Sequence, residues 1–194
     1  MPLTPDMLIA GYSQGLFPMA GDDGAISWYD VRRRAIIPLD AFHVPRRLAR
    51  RVRNGGLAIR VDTCFRDVML ACAAPRPGHD GTWISGEMVD AYTELHRLGF
   101  AHSVEAWRGG ELVGGLYGVA VRGLFAGESM FSRETDASKV ALVHLVERLR
   151  RGGFVLLDSQ YIVGEHMLQF GTVEISRAEY QRRLAQALAV AAVF

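Results

Sequence analysis

Ser103-Val104-Glu105-Ala106-Trp107-Arg108, Gly109-Gly110, Leu112 to Val121, Arg122-Gly123, then Leu124-Phe125-Ala126-Gly127-Glu128-Ser129-Met130-Phe131: this stretch decides the fold. It reads as three apolar strands joined by two tight turns, an antiparallel meander. The third strand carries polar groups where a strand should be dry, because Leu124 to Ala126 run straight into Glu128. A second run does the same: Phe154-Val155-Leu156-Leu157 leads into Asp158-Ser159-Gln160. Residues two apart share a face of a strand, so Asp158 and Gln160 are expected to point one way, as are Glu128 and Met130. An unpartnered buried carboxylate is costly, so two of them closing apolar strands point to a site. The plain structural reading puts each at a strand end in water; it serves for either segment alone and less well for the pair. Gly114, Gly115 and Gly118 in the middle strand mark a bulge or a close backbone approach, and suggest room for a ligand before Glu128.

Working outward, Thr4 or Asp6 caps a short helix through Tyr12, and Ile26–Tyr29 and Arg34–Leu39 read as strands. Residues 1–40 are expected to form a small N-terminal subdomain, and 41–194 the main domain. Pro45–Arg53 reads as a basic helix with Leu48 and Val52 inward, ended by Asn54-Gly55-Gly56. Leu57–Val61 is a strand and Thr63–Cys72 a helix, and Ser85 caps another helix through Leu98. After the meander, Asp136 is expected to cap the helix 137–151. The strand 154–158 follows, then a short helix 164–170, a strand 172–175 and a last helix opened by the capping box Ser176-Arg177-Ala178-Glu179. The order implies a mixed α/β sheet of the kind found in N-acetyltransferase-type acyltransferases.

The totals bound the class. A chain of 194 residues with 49% hydrophobic and 22% charged residues and a net charge of +1 is ordinary for a soluble domain. Overall charge therefore announces no nucleic-acid partner, but Arg46, Arg47, Arg50, Arg51 and Arg53 cluster on one helix, and Lys139 is the only lysine. The arginines read either as a phosphate-contacting patch or as a solvated face. Cys64 and Cys72 have no CxxC spacing, and no HExxH occurs, so neither a disulfide framework nor a metal site is indicated. The start has no secretory pattern and no apolar run reaches transmembrane length, so a cytoplasmic setting is expected.

Gly81-Thr82-Trp83-Ile84, Ala101 to Trp107, Leu112 to Gly118, Gly127 to Ser132, Ala137-Ser138-Lys139, Asp158-Ser159-Gln160 and His166 occur in that order, with Leu16-Phe17-Pro18 before them. Together they resemble the leucyl/phenylalanyl-tRNA–protein transferase family, over about Thr4 to Leu184. The resemblance implies an N-acetyltransferase-like C-terminal domain behind a small N-terminal one. It implies transfer of Leu or Phe (and Met, on pocket shape) from aminoacyl-tRNA onto proteins beginning with Arg or Lys, which marks them for N-degron proteolysis. It implies no metal and no cofactor, since the tRNA ester is already activated, and a monomer is expected.

The family mechanism implies that Asp158 polarises the Gln160 amide, which orients the attacking amine and partly accepts its proton, while Glu128 holds an ammonium group. By motif position Leu116, Phe125, Met130 and Leu157 are the aminoacyl pocket; plain core is the other reading of each. Arg46, Arg47, Arg50 and Arg51 are the expected tRNA backbone contacts. Tyr12, Met19 and Trp83 are expected near the tRNA 3′ end or the acceptor, and Lys139 near a terminal phosphate. Met19 stands where the family commonly has Trp, Ser159 where it often has Cys, and the family's usual extra segment before Thr4 is missing.

Three other readings exist. An acetyl-CoA-dependent acetyltransferase needs a glycine-bearing pyrophosphate loop, and Arg133 to Ser138 has no glycine. Transfer of Arg onto acidic N-termini conflicts with an apolar pocket. A non-catalytic tRNA or N-terminus binding module has no need of Glu128, Asp158 and Gln160 together.

Overall fold

The computed structural model describes residues 2–75, 82–162 and 164–194. Gly81 and the side chain of His166, both part of the resemblance, lie outside the described residues. The chain runs α1 (Pro5–Ser13), β1 (Phe17–Ala20), β2 (Ile26–Tyr29), β3 (Arg33–Ile36), α2 (Arg46–Asn54), β4 (Ala58–Val61), α3 (Phe65–Ala73) and α4 (Gly86–Arg97). It continues β5 (Ala101–Arg108), β6 (Glu111–Val121), β7 (Leu124–Ser132), α5 (Ala137–Arg151), β8 (Leu156–Gln160), a 3₁₀ turn (Glu165–Phe170), β9 (Val173–Ser176) and α6 (Arg177–Ala189). Among the described residues no helix is long and apolar enough to cross a membrane.

Seven strands form one mixed sheet in the order β4-β5-β6-β7-β8-β3-β9, and β1 and β2 pair by themselves. The meander is β5-β6-β7, as the glycine turns predict. Gly109 and Gly110 both have positive φ, 58° and 87°, the signature of a two-residue hairpin turn that matches strand twist. Among the described residues only β7 and β8 run parallel, and α5 makes the crossover between them. On one face of the sheet α1, α3, α4 and α6 close a core around Leu8, Met69, Tyr92, Tyr117 and Leu184. On the other, α5 buries Val140, Val143 and Val146 against Leu116, Phe125 and Leu157.

The expected subdomain 1–40 divides. Its hairpin β1–β2 stands apart, but β3 is inserted in the large sheet between β8 and β9. Helix caps follow the sequence at Thr4, Ser85 and Ser176, whose side chains accept from Met7, Met88 and Glu179 backbone N–H groups. Asp136 is a correction. It sits in the left-handed region at φ 64° and makes no side-chain cap. Ser132 Oγ accepts the Ser138 N–H at 2.8 Å instead, and Asp136 pairs with Lys139 Nζ at 2.8 Å. The glycines of β6 do mark the expected bulge and close approach, but protein groups rather than a ligand need their space. A Cβ on Gly114 would lie 2.5 Å from the Ala137 Cβ, and one on Gly118 2.4 Å from Ala126 O.

Candidate active site

The site begins with an interruption of β7. Tyr117 of β6 faces Ser129, and Gly118 faces Gly127, so Glu128 is the extra residue of a β-bulge. A bulge re-aims side chains and reverses the alternation beyond it. Leu124 and Ala126 lie on the α3–α4 face with Phe131, whereas Phe125 and Met130 lie on the α5 face. Glu128 and Met130 therefore do not share a face, contrary to the two-residue period. The parallel pairing of β7 with β8 ends at Ala126 with Asp158, and past that point the strands part.

A cavity of about 420 Å³ occupies the gap. Leu116, Met130, Leu142, Leu145, Leu157 and Met167 make an aliphatic wall. Glu128, Gln160, Thr82, Trp83 and Tyr161 line it as well, giving a few polar groups in an apolar cleft, the usual make-up of a small-ligand pocket. Three of the four expected pocket residues are in it. Phe125 is not: it is fully buried, and its ring stacks on Phe194 at 5.4 Å and meets Phe154 edge-on.

Asp158 is fully buried and both its oxygens are taken. Arg34 donates to it bidentately, Nε to Oδ1 at 2.9 Å and Nη2 to Oδ2 at 2.6 Å. The Tyr180 hydroxyl donates at 2.8 Å, and the Gln160 backbone N–H at 2.8 Å. The expected contact between the Asp158 carboxylate and the Gln160 side-chain amide is absent; the main chain of Gln160 makes it instead. Arg34 is itself held by Gly15 O at 3.0 Å and lies between the rings of Phe17 and Tyr180. Burial opposes its charge, but Asp158 outweighs burial and raises its pKa.

Gln160 has φ 63°, a left-handed conformation unusual for a side-chain-bearing residue and typical of strained functional positions. Its side chain turns to Glu128, Nε2 donating to Oε1 at 2.8 Å. Oε2 of Glu128 has no hydrogen bond among the described residues. Glu128 touches the cavity, yet its carboxyl lies deep in the protein, and its pKa rises from 4.5 to about 8. Burial is the main cause and Asp158 adds to it, while Tyr12, Arg34 and Gln160 work the other way. Tyr12, Tyr92 and Tyr117 surround it as fully buried phenols, each with its pKa pushed up by burial and by Glu128.

Tyr12 is therefore not an outward contact. Its ring is in the core, and its hydroxyl pairs with that of Tyr92. Trp83 lines the cavity. Met19 lies outside the cavity's lining, its sulfur accepting from the Tyr161 hydroxyl at 3.8 Å. Arg46, Arg47 and Arg50 are exposed on α2, which packs on α5; Arg51 turns inward to Glu134 at 3.3 Å. Lys139 is engaged with Asp136, away from the cavity. Sequence reasoning missed Arg34, Tyr92, Tyr117 and Tyr180. Arg34 looked like one of a charged run, Arg32-Arg33-Arg34, and its only distinguishing signal is its place directly before the apolar Ala35-Ile36-Ile37.

Residues 36–185 match the family model described as leucyl/phenylalanyl-tRNA protein transferase, and residues 1–32 match that family's N-terminal domain. The chain is 59% identical over 189 residues to a leucyl/phenylalanyl-tRNA–protein transferase of Phenylobacterium zucineum, covering 96% of this chain and 85% of that one. It is 57% identical to the protein of that name in Herpetosiphon aurantiacus, over 99% and 98% of the two chains. A GCN5-related N-acetyltransferase-like protein of Streptococcus suis is similar at 15% identity over 81% of this chain and 57% of that one, with a TM-score of 0.35. With family matches over nearly its whole length and relatives above half identity, the chain belongs to the leucyl/phenylalanyl-tRNA–protein transferase family.

Proposed function

We propose that this aminoacyltransferase moves leucine or phenylalanine, and methionine with them, from aminoacyl-tRNA onto the N-terminal Arg or Lys of acceptor proteins. The observation that carries the choice of donor is the aliphatic wall of the cavity, Leu116, Met130, Leu142, Leu145 and Leu157, with no ionisable group on it. A transferred arginine pressed against this wall would set its guanidinium among aliphatic and thioether side chains that offer it no carboxylate, at a cost of several kcal/mol. Met130 and Met167 are flexible and adapt to branched and aromatic side chains alike. Glu128 and Gln160 at the polar end favour an ammonium group and thereby fix the amine against the ester.

The exposed arginines of α2, Arg46, Arg47 and Arg50, support a sequence-independent hold on the tRNA backbone. Trp83 at the cavity, with Met19 and Tyr161 beside it, offers an apolar and aromatic surface for the tRNA 3′ end. The substrates are those of translation, which fits a cytoplasmic enzyme that feeds regulated proteolysis.

The test is transfer of labelled amino acids from a mixed pool of charged tRNAs to peptides that differ only in their first residue. Label from Leu- or Phe-tRNA should reach Arg- and Lys-peptides. Transfer of Arg to Asp- or Glu-peptides would refute the pocket assignment and leave the reaction class in place.

A further inference from the structure

We propose that a groove along the outer side of α3 holds the acceptor polypeptide beyond its first residue, as an extended segment of about three residues. The inference rests on the aminoacyl-transfer reading and adds to it a binding site outside the catalytic cavity.

The groove follows from the period of α3. Phe65, Val68, Met69 and Cys72 are buried against the sheet. Asp67, Leu70, Ala71 and Ala74 stand at i, i+3, i+4 and i+7 and share the other side of the helix. The hairpin end of β5 and β6 faces that side with Trp107 and Leu112, and with Arg133 past β7 they enclose about 370 Å³. Ala74 also lines the catalytic cavity, so the groove leads away from the cavity at that residue. From Ala74 back to Asp67 the helix runs ~10 Å at ~1.5 Å per residue. An extended chain covers that distance with about three residues at ~3.3 Å each. With the acceptor's first residue at the cavity, the side chain beside Asp67 belongs to about the fourth.

The chemistry of the walls selects the occupant. Leu70 is 49% exposed, a large aliphatic side chain open to solvent beside Ala71. Asp67 is exposed and has no ion pair or hydrogen bond among the described residues. Arg133 is exposed as well; it donates Nη1 to Leu112 O at 3.0 Å and lies over the Phe131 ring, and its other nitrogens have no partner among the described residues. Trp107 is a firm wall, with the Arg60 guanidinium 4.7 Å over its ring and its Nε1 donating to Glu105 at 3.3 Å. An apolar floor between a carboxylate and free guanidinium donors suits a polypeptide. Its carbonyl oxygens accept from Arg133, its small or apolar side chains rest on Leu70, and a cationic side chain pairs with Asp67. A tRNA strand is the poorer match, because its phosphates would meet the Asp67 carboxylate.

The experiment compares kcat/KM for transfer from Leu-tRNA to the amidated peptides Arg-Ala, Arg-Ala-Ala-Lys-Ala and Arg-Ala-Ala-Glu-Ala, with wild type, Leu70→Glu and Asp67→Lys. Both substitutions are at exposed positions of the helix. Wild type should use the Lys pentapeptide about 10-fold better than the dipeptide, and about 2- to 5-fold better than the Glu pentapeptide at low salt. Leu70→Glu should cut the gain from length to about twofold or less, and Asp67→Lys should reverse the order of the Lys and Glu pentapeptides. Equal use of dipeptide and pentapeptide by wild type would overturn the proposal. So would a Lys-over-Glu preference that survives Asp67→Lys, or a loss in Leu70→Glu that is the same for short and long peptides. A rise in the KM for charged tRNA in place of these changes would overturn it in favour of a tRNA contact. If wild type uses another charged tRNA or another first residue, the donor or acceptor assignment fails alone, and the same comparison of length and charge with that pair still decides the groove.

Discussion

Replacing Glu128 with glutamine keeps the side-chain volume and removes one titrating group from the protein interior. Glu128 goes from an ordinary 4.5 to about 8 on folding, chiefly because burial penalises its charge. The folded state therefore holds a proton there that the unfolded chain releases. Between pH ~4.5 and ~8 the unfolded state binds fewer protons at this position than the native state, so stability falls as pH rises through that window and is level on either side of it. Each tenfold in proton affinity is worth ~1.4 kcal/mol, which puts a ceiling of ~5 kcal/mol on the cost of the ionised group above pH 8. Water entering the cavity screens part of this, so a realised ~1–3 kcal/mol is expected. For a chain of this size ~1 kcal/mol moves Tm by ~2–4 °C. Glu128→Gln should thus melt ~3–10 °C above wild type at pH 8.5, and the difference should shrink to near zero at pH 5. Thermal melts of both proteins without substrate, at half-unit steps from pH 5 to 9, are the assay. A Tm difference independent of pH, or a variant less stable at pH 8.5, would refute the buried-carboxyl reasoning. A gain in stability with a loss in rate is the expected mark of a group kept for function.

Arg34→Met strands Asp158 without its partner and should cost ~3–5 kcal/mol by urea denaturation; Arg34→Met with Asp158→Leu should recover most of it, and a single variant as stable as wild type would deny the pair its structural weight. Met130→Ala lengthens the aliphatic end of the cavity and should shift the kcat/KM ratio for Phe over Leu by ~10-fold, read from competition between the two charged tRNAs; an unchanged ratio would place the side-chain pocket elsewhere. Removing Arg46, Arg47 and Arg50 together should raise the KM for charged tRNA and flatten its salt dependence by about one log-log unit for each phosphate that is no longer neutralised, with kcat held. Ser132→Ala should cost ~1 kcal/mol through loss of the helix cap, and Asp136→Ala ~0.5 kcal/mol or less through loss of a partly exposed ion pair; the reverse order would restore Asp136 as the cap.

What the sequence made legible was local. The glycine pairs at Gly109-Gly110 and Gly152-Gly153, the caps at Thr4, Ser85 and Ser176, and the apolar runs of β5 to β8 each carry their reason within a few residues. What stayed hidden depends on partners far along the chain. The bulge at Glu128 is set by its register with β6, and it reverses the faces on which Met130 and Phe131 lie relative to Phe125. Phe125 and Leu116 are equally apolar in the sequence, and only the parting of β7 from β8 decides that Leu116 meets the cavity while Phe125 meets Phe194. Tyr12 resembles a surface aromatic on a short helix until α4 supplies Tyr92 beneath it. The arginine that holds Asp158 lies 124 residues before it, beyond the reach of any periodicity argument.

That separation bears on how the enzyme comes into being. β3 leaves the ribosome early, but both strands that flank it, β8 and β9, are near the end of the message. At ~5–20 residues per second the 124 residues between Arg34 and Asp158 take ~6–25 s to make. For that time a strand rich in arginine and isoleucine has no sheet to join and Gln160 does not yet exist. The candidate site is therefore completed late, when β8 and β9 take their places on either side of β3. Truncated products of interrupted synthesis carry the basic helix α2 and the meander but not the site. Until β8 is made, the growing chain holds neither Asp158 nor Gln160 of the candidate site, whatever else of the sheet has formed.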